Sequence, residues 1–187
     1  KVSVAVVVQK MVDSEISGIA FSVHPVTQDR NQILIEAGMG LGEAIVSGQI
    51  TPDNYVIHKK ELTILEKNAS EQRRKLVKIK SGGNRWMEMF NDQLKLSDTQ
   101  IMELTKIIIR IEDHYRFPCD IEWAYEKGKF YIVQSRPITT LTSNQEKEAI
   151  VNEIKYRIIR SRKIYPFPGI WNYESETQAD TKKIHGA

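Results

Sequence analysis

The chain has 187 residues, 41% of them hydrophobic, which is enough for one sizeable core and excludes a disordered tail or a disulfide scaffold. Its 27 basic and 24 acidic side chains leave a formal charge of +3, too small and too mixed for a nucleic-acid surface. The single cysteine, Cys119, forms no internal disulfide and suits a reducing compartment such as the cytoplasm, and no apolar run approaches the roughly 18–20 residues that span a bilayer.

Val2 to Gln9 is dominated by valine without clean alternation, which predicts a central strand buried on both faces. A buried strand so near the first residue implies that another segment completes the sheet or that the chain belongs to a longer one. Gln9, Lys10, Met11 and Val12 then leave the strand, with exposed backbone groups beside an apolar Met. That combination receives a flat heterocycle; a plain strand end is the alternative.

Gly18 to His24 predicts the next strand, with His24 beside Pro25 as a cap or loop hydrogen-bonding residue, and Gln32 to Ala37 a third. Gly38-Met39-Gly40-Leu41-Gly42 follows as a glycine-rich loop leading into a short helix through about Ser47. Its glycines allow positive φ and close approach of a ligand to the backbone, but the pattern is neither a dinucleotide fingerprint nor a P-loop. A ligand-facing turn and a purely structural one both fit.

Asn54–His58 and Leu62–Leu65 read as a hairpin, and Lys75–Lys80 with the Trp86–Phe90 region as a solvent-facing antiparallel layer without evident chemistry. Ser97 and Gln100 have capping-box spacing at the head of a long helix. Ile101, Leu104, Ile108 and Ile111 fall on one stripe of that helix, which covers the sheet, and His114 stands at its end as a surface or cap residue.

From Cys119 the alternation becomes that of a hairpin. Asp120 and Glu122 alternate with Ile121 and Trp123, and a turn at Lys127-Gly128 leads into Phe130 to Gln134. Pairing centred on Gly128 sets Glu122 opposite Gln134 and Asp120 opposite Arg136, all four on one face, with Ile121, Trp123, Tyr131 and Val133 behind as core. Carboxylate, amide oxygen and guanidinium on rigid strands suit a hard cation bound to phosphate oxygens. A solvated face with one cross-strand Asp120–Arg136 pair explains the same spacing.

Beyond Leu141, Ser143 and Glu146 repeat the capping-box spacing ahead of a charged helix carrying Ile150, Ile154 and Ile158. It ends before Pro166 and a weakly ordered polar tail, so residues 1–141 form the folded lobe and 142–187 a linker helix and tail. The basic side chains Lys155, Arg157, Arg160, Arg162 and Lys163 offer RNA or an acidic partner a contact, but an ordinary solvated face is favoured and nucleic acid is the weakest reading.

Three stretches, VVVQKMVDSEISGIAFSVHPVT, EAGMGLGEAIVSGQITPDNYVI and DIEWAYEKGKFYIVQSRPITTL, together resemble the nucleotide-binding domain shared by the phosphoenolpyruvate synthase (pyruvate, water dikinase), pyruvate phosphate dikinase and rifampicin phosphotransferase family. The resemblance covers about residues 4–141. It implies an α+β ATP-grasp fold, of which this chain is the second lobe: a mostly antiparallel sheet covered by helices and incomplete without the first lobe.

In that likeness Gln9, Lys10, Met11 and Val12 line the adenine site, and the loop bearing Gly40 and Gly42 lies near the nucleotide. Glu122 and Gln134 match the magnesium-binding pair, Asp120 an active-site carboxylate and Arg136 the arginine on the ATP phosphates. The implied cofactors are ATP and Mg²⁺. The implied reaction moves the β-phosphoryl of ATP to a carrier histidine on a mobile domain, with release of the γ-phosphate, and then to pyruvate to give phosphoenolpyruvate.

The resemblance therefore expects the first lobe, a phosphohistidine domain and a pyruvate-binding barrel elsewhere in the parent chain, and no turnover by this part alone. No glycine-glycine-threonine-histidine stretch occurs, so His24 is not the carrier. An antibiotic or glucan phosphotransferase uses the same ATP site, and a non-catalytic remnant or interaction module retains the same fold. A homo-oligomer is left open.

Overall fold

The computed structural model describes residues 6–141. The helix expected after Ser143, the basic side chains at 155–163 and the polar tail lie outside the described residues, as do positions 2–5 of the expected first strand.

Six strands form an antiparallel sheet in the order β4-β3-β2-β1-β7-β8. β1 (Ile16–Phe21), β2 (Gln32–Met39), β3 (Asp53–His58) and β4 (Thr63–Asn68) make a meander. The hairpin of β7 (Cys119–Glu126) and β8 (Lys129–Pro137) joins on the far side of β1. Hence β7 is an interior strand, held on both sides, and β8 is an edge. A four-residue helix, α1 (Glu43–Val46), follows the glycine-rich loop. β5 (Gln72–Lys78) and β6 (Asn84–Asn91) form a separate two-stranded sheet before helix α2 (Asp98–Tyr115).

The capping box makes α2 start where it does. Ser97 Oγ accepts from the Gln100 backbone N–H, and the Gln100 side chain accepts from the Ser97 backbone N–H, which satisfies otherwise unpaired groups. Arg116, in the left-handed region, ends the helix ahead of Pro118.

The stripe Ile101, Leu104, Ile108 and Ile111 is buried against Ile33, Ile35, Tyr55, Ile57, Ile121, Trp123 and Ile132 of the sheet. Each such aliphatic side chain contributes about 1.5–3 kcal/mol by leaving water. Because residues alternate across a strand, this layer commits Ile121 and Trp123 inward and turns Asp120 and Glu122 to the opposite face. Among the described residues no helix is long and apolar enough to cross a membrane.

The valine run departs from expectation. Val6 to Gln9 form no strand; their backbone is irregular and Val6, Val7 and Val8 are exposed. β-Branched residues favour a strand by packing against ladder neighbours, and neither edge of the sheet, β4 or β8, pairs with them. β1 also begins two residues earlier than expected and ends at Phe21, so His24 lies in the following loop, where its Nδ1 accepts from the Val26 and Thr27 amides.

Candidate functional site

The β7–β8 turn is Lys127-Gly128, both residues at positive φ, the two-residue geometry that follows the twist of the flanking strands. Glu126 pairs with Lys129, Ala124 with Tyr131 and Trp123 with Ile132. Val133 is then an extra residue, and beyond this bulge Glu122 faces Gln134 and Asp120 faces Arg136. The cross-strand pairs expected from symmetry about Gly128 arise from a tighter turn plus one bulge.

The same bulge changes the core. Phe130 and Ile132 are buried behind the face, whereas Tyr131 and Val133, expected there, are half-buried. A one-residue shift exchanges the faces of a strand, so the segment before the bulge presents the opposite set.

On the polar face Arg136 donates from Nε and Nη2 to a single oxygen, Oδ2 of Asp120, at 2.8 and 2.7 Å. Gln134 Nε2 donates to Glu122 Oε1 at 3.3 Å, and among the described residues no donor reaches the Gln134 amide oxygen. Glu36 joins the row from β2: Ile19 pairs with Glu36 on one side and Glu122 on the other. Two strand spacings of ~4.8 Å separate the carboxylates. Burial, and then the charge of Asp120, hold the Glu36 carboxyl above its ordinary range. A lone acid within the apolar run ILIEA was the available signal for it.

A cleft of about 300 Å³ opens beside Glu122. One wall is Gln9, Lys10, Met11 and Val12, another is Leu41, Gly42 and Glu43, and Val133 and Asn84 also line it. The structure thus gathers Gln9 to Val12, Gly42 and Glu122 around one space, while Asp120, Gln134, Arg136 and Gly40 lie outside its lining. Asn84, from the layer read as lacking chemistry, had no signal in the sequence.

The two glycines of the loop differ. Gly40 has φ +94°, and a Cβ there would stand 2.5 Å from the Leu76 carbonyl oxygen. Its own carbonyl accepts from Ser14 Oγ at 3.0 Å and Ser17 Oγ at 2.6 Å, which ties the loop to β1. Gly42 is in the α region, and a Cβ there would meet nothing closer than Ser17 at 3.7 Å. Gly40 shapes the turn and Gly42 faces the cleft.

No three His, Cys, Asp or Glu side chains among the described residues are grouped to hold a metal ion. Glu122 and Gln134 supply two hard oxygen donors. That set fits Mg²⁺, which takes one or two carboxylates and fills its other positions with phosphate oxygens and water. Cys119 is buried, and burial pushes its thiol up to about 12, so it is no nucleophile here.

An antiparallel sheet with its helix on one face, and acid, amide and guanidinium groups beside a cleft on the other, makes this an α+β domain of mostly antiparallel strands. The model of the family described as pyruvate phosphate dikinase, AMP/ATP-binding domain matches residues 1–156, and the chain belongs to that family.

The chain is 44% identical over 163 residues to a probable phosphoenolpyruvate synthase of Methanocaldococcus jannaschii, covering 85% of this chain and 14% of the relative. Identity is 48% over 163 residues to the phosphoenolpyruvate synthase of Pyrococcus furiosus, covering 79% and 20%. It is 39% over 160 residues to a rifampicin phosphotransferase of Bacillus subtilis, covering 81% and 18%. The chain spans a fifth or less of the length of these relatives.

Proposed function

We propose that this chain is the second lobe of an ATP-grasp domain and holds Mg-ATP on the β7–β8 face, within a phosphotransferase that moves the β-phosphoryl of ATP to a carrier histidine and on to pyruvate. The observation that carries the reading is the hairpin register. It sets Glu122 with Gln134, and one step (~7 Å) along the strands Asp120 with Arg136, beside the cleft lined by Gln9 to Val12. Heterocycle, cation and phosphates then have their partners in the order in which Mg-ATP presents them.

In this reading the backbone of Gln9 to Val12 receives the adenine. Glu122 and the amide oxygen of Gln134 fix the cation, which when bound neutralises charge on the phosphate oxygens. Arg136 exchanges Asp120 for a phosphate and stabilises the charge that develops during transfer. Asp120 holds the guanidinium in place beforehand. The first lobe, the phosphohistidine domain and the pyruvate-binding barrel belong to the parent protein, and this part alone binds without turning over.

The rifampicin phosphotransferase relative favours a second reading, in which the same ATP face serves transfer to an antibiotic. Calorimetric titration of ATP into the chain, with and without Mg²⁺, tests the shared core of both. Magnesium-dependent binding is expected, weakened at least about tenfold by Glu122→Ala with Gln134→Ala at an unchanged circular dichroism spectrum. Equal affinities for wild type and double variant overturn the reading and leave a non-catalytic interaction module in its place.

A further inference from the structure

The β5–β6 sheet reaches the cleft for a reason visible in its anchoring. Gln72, almost wholly buried on β5, accepts from the Met39 amide at 2.8 Å and donates to the Met39 carbonyl at 2.9 Å. The Leu41 amide donates to the Leu76 carbonyl at 2.9 Å, and the absent side chain of Gly40 leaves room for that approach. β5 is thereby joined to the glycine-rich loop, and β6 follows it.

The consequence is that Asn84, the first residue of β6, donates from Nδ2 to Oε2 of Glu43 at 3.2 Å, and both side chains line the cleft. Neither Glu43 Oε1 nor Asn84 Oδ1 has a further partner among the described residues. We infer that Glu43 and Asn84 form a subsite for the vicinal hydroxyls of a ribose, so that the cleft selects ribonucleotides over 2′-deoxyribonucleotides. The inference rests on the nucleotide reading above.

One observation and two points of chemistry carry it. Glu43 and Asn84 share the cleft with the Gln9–Val12 wall at which the heterocycle is placed and with Glu122 at the start of the phosphate side, and the sugar is what joins those two parts. A carboxylate accepts a phosphate only across a cation or a guanidinium, as at Glu122 and Asp120; the partner of Glu43 among the described residues is the neutral Asn84 amide, so the hydroxyl-bearing portion is what it accepts. A carboxylate oxygen takes a hydroxyl proton, and an amide oxygen beside it takes a second, the complement of a vicinal diol.

The test is titration of Mg²⁺ with ATP or with 2′-deoxy-ATP into the 187-residue chain and its Glu43→Ala, Asn84→Ala and Glu122→Ala variants. Wild type is expected to bind ATP about tenfold more tightly than 2′-deoxy-ATP, the value of one hydrogen bond to a charged group. Of Glu43→Ala and Asn84→Ala, the one that loses the partner of the 2′-hydroxyl removes the difference by weakening ATP alone, and the one that loses the partner of the 3′-hydroxyl weakens both nucleotides. Glu122→Ala weakens both nucleotides and keeps their ratio. Equal binding of the two nucleotides by wild type, or a ratio that survives both Glu43→Ala and Asn84→Ala, overturns the inference while the nucleotide reading stands. Binding of neither nucleotide overturns that reading and the inference with it.

Discussion

Arg136 directs two of its donors, Nε and Nη2, at one oxygen of Asp120, Oδ2, at 2.8 and 2.7 Å, and among the described residues the rest of its fork has no partner. The Arg136 side chain is 63% exposed, so the pair is screened and adds only about 0–1 kcal/mol to stability. Arg136→Ala is therefore expected to leave the melting temperature nearly unchanged. ATP affinity should fall about tenfold or more while adenosine affinity is retained, because the lost contact is to phosphate. Calorimetry with both ligands checks this; a parallel loss for adenosine would show that Arg136 acts on the shape of the cleft instead.

Glu36 lies on the same face, and its carboxyl is held above the usual range by burial first and by the charge of Asp120 second. A raised acid binds its proton more tightly in the folded state. Its stabilising contribution is complete below the unfolded value of about 4.5 and is lost as pH rises through the folded value. Glu36→Gln should accordingly melt higher than wild type at pH 7, the difference closing as pH is lowered toward 4.5. Asp120→Asn should move the Glu36 titration downward, read by carbon-detected NMR of the side-chain carboxyl. A Glu36 midpoint that ignores Asp120→Asn would remove the coupling.

The two loop glycines separate fold from binding. Gly40→Ala places a side chain at φ +94°, costing about 1–3 kcal/mol, and drives its Cβ into the Leu76 carbonyl. Gly42→Ala has an ordinary backbone and open space, so its stability should lie within about 0.5 kcal/mol of wild type. Its methyl group enters the cleft, however, and should weaken ATP. Thermal melts alongside ATP titrations distinguish the two; a stable Gly40→Ala would mean that β5 yields to the added methyl group.

What the sequence made legible is what depends on short-range period and chemistry. The Ser97–Gln100 capping box and the α2 stripe are local, and the Asp120–Arg136 and Glu122–Gln134 pairs need only a turn and alternation. The bulge at Val133 was not legible, because one extra residue breaks a period of two without any compositional mark, and it reversed the expected roles of Phe130 and Ile132 against Tyr131 and Val133. The described part of the valine run, Val6 to Gln9, misled for the complementary reason: β-propensity describes what a residue suits, and a ladder partner decides whether it forms a strand. Asn84 reaches its place through a contact with Glu43 about forty residues away, which no local pattern encodes, whereas the lone acid in ILIEA marked Glu36 but not its neighbour Asp120, about eighty residues on.

The stability of the fold is expected to depend on a group remote from the polar face. Asp53 and Lys95 are fully buried. Asp53 accepts from Lys95 Nζ, the Lys95 and Ser70 amides and the Tyr55 hydroxyl, each at 2.8 Å, and Lys95 Nζ also donates to the Ser70 carbonyl. These bonds join β3, the segment before β5 and the residues leading into α2, so they hold the helix layer to the sheet. Asp53→Ala leaves an ammonium buried without its partner and should cost about 3–5 kcal/mol in urea unfolding. Asp53→Leu with Lys95→Met removes both charges and should be less destabilised than either single change, since an apolar pair of similar size needs no desolvation of ions. ATP affinity of the folded fraction should not change in the double variant, because none of these groups borders the cleft. A double variant as unstable as Asp53→Ala would instead show that the hydrogen bonds to Ser70 and Tyr55, rather than charge pairing, hold the layers together.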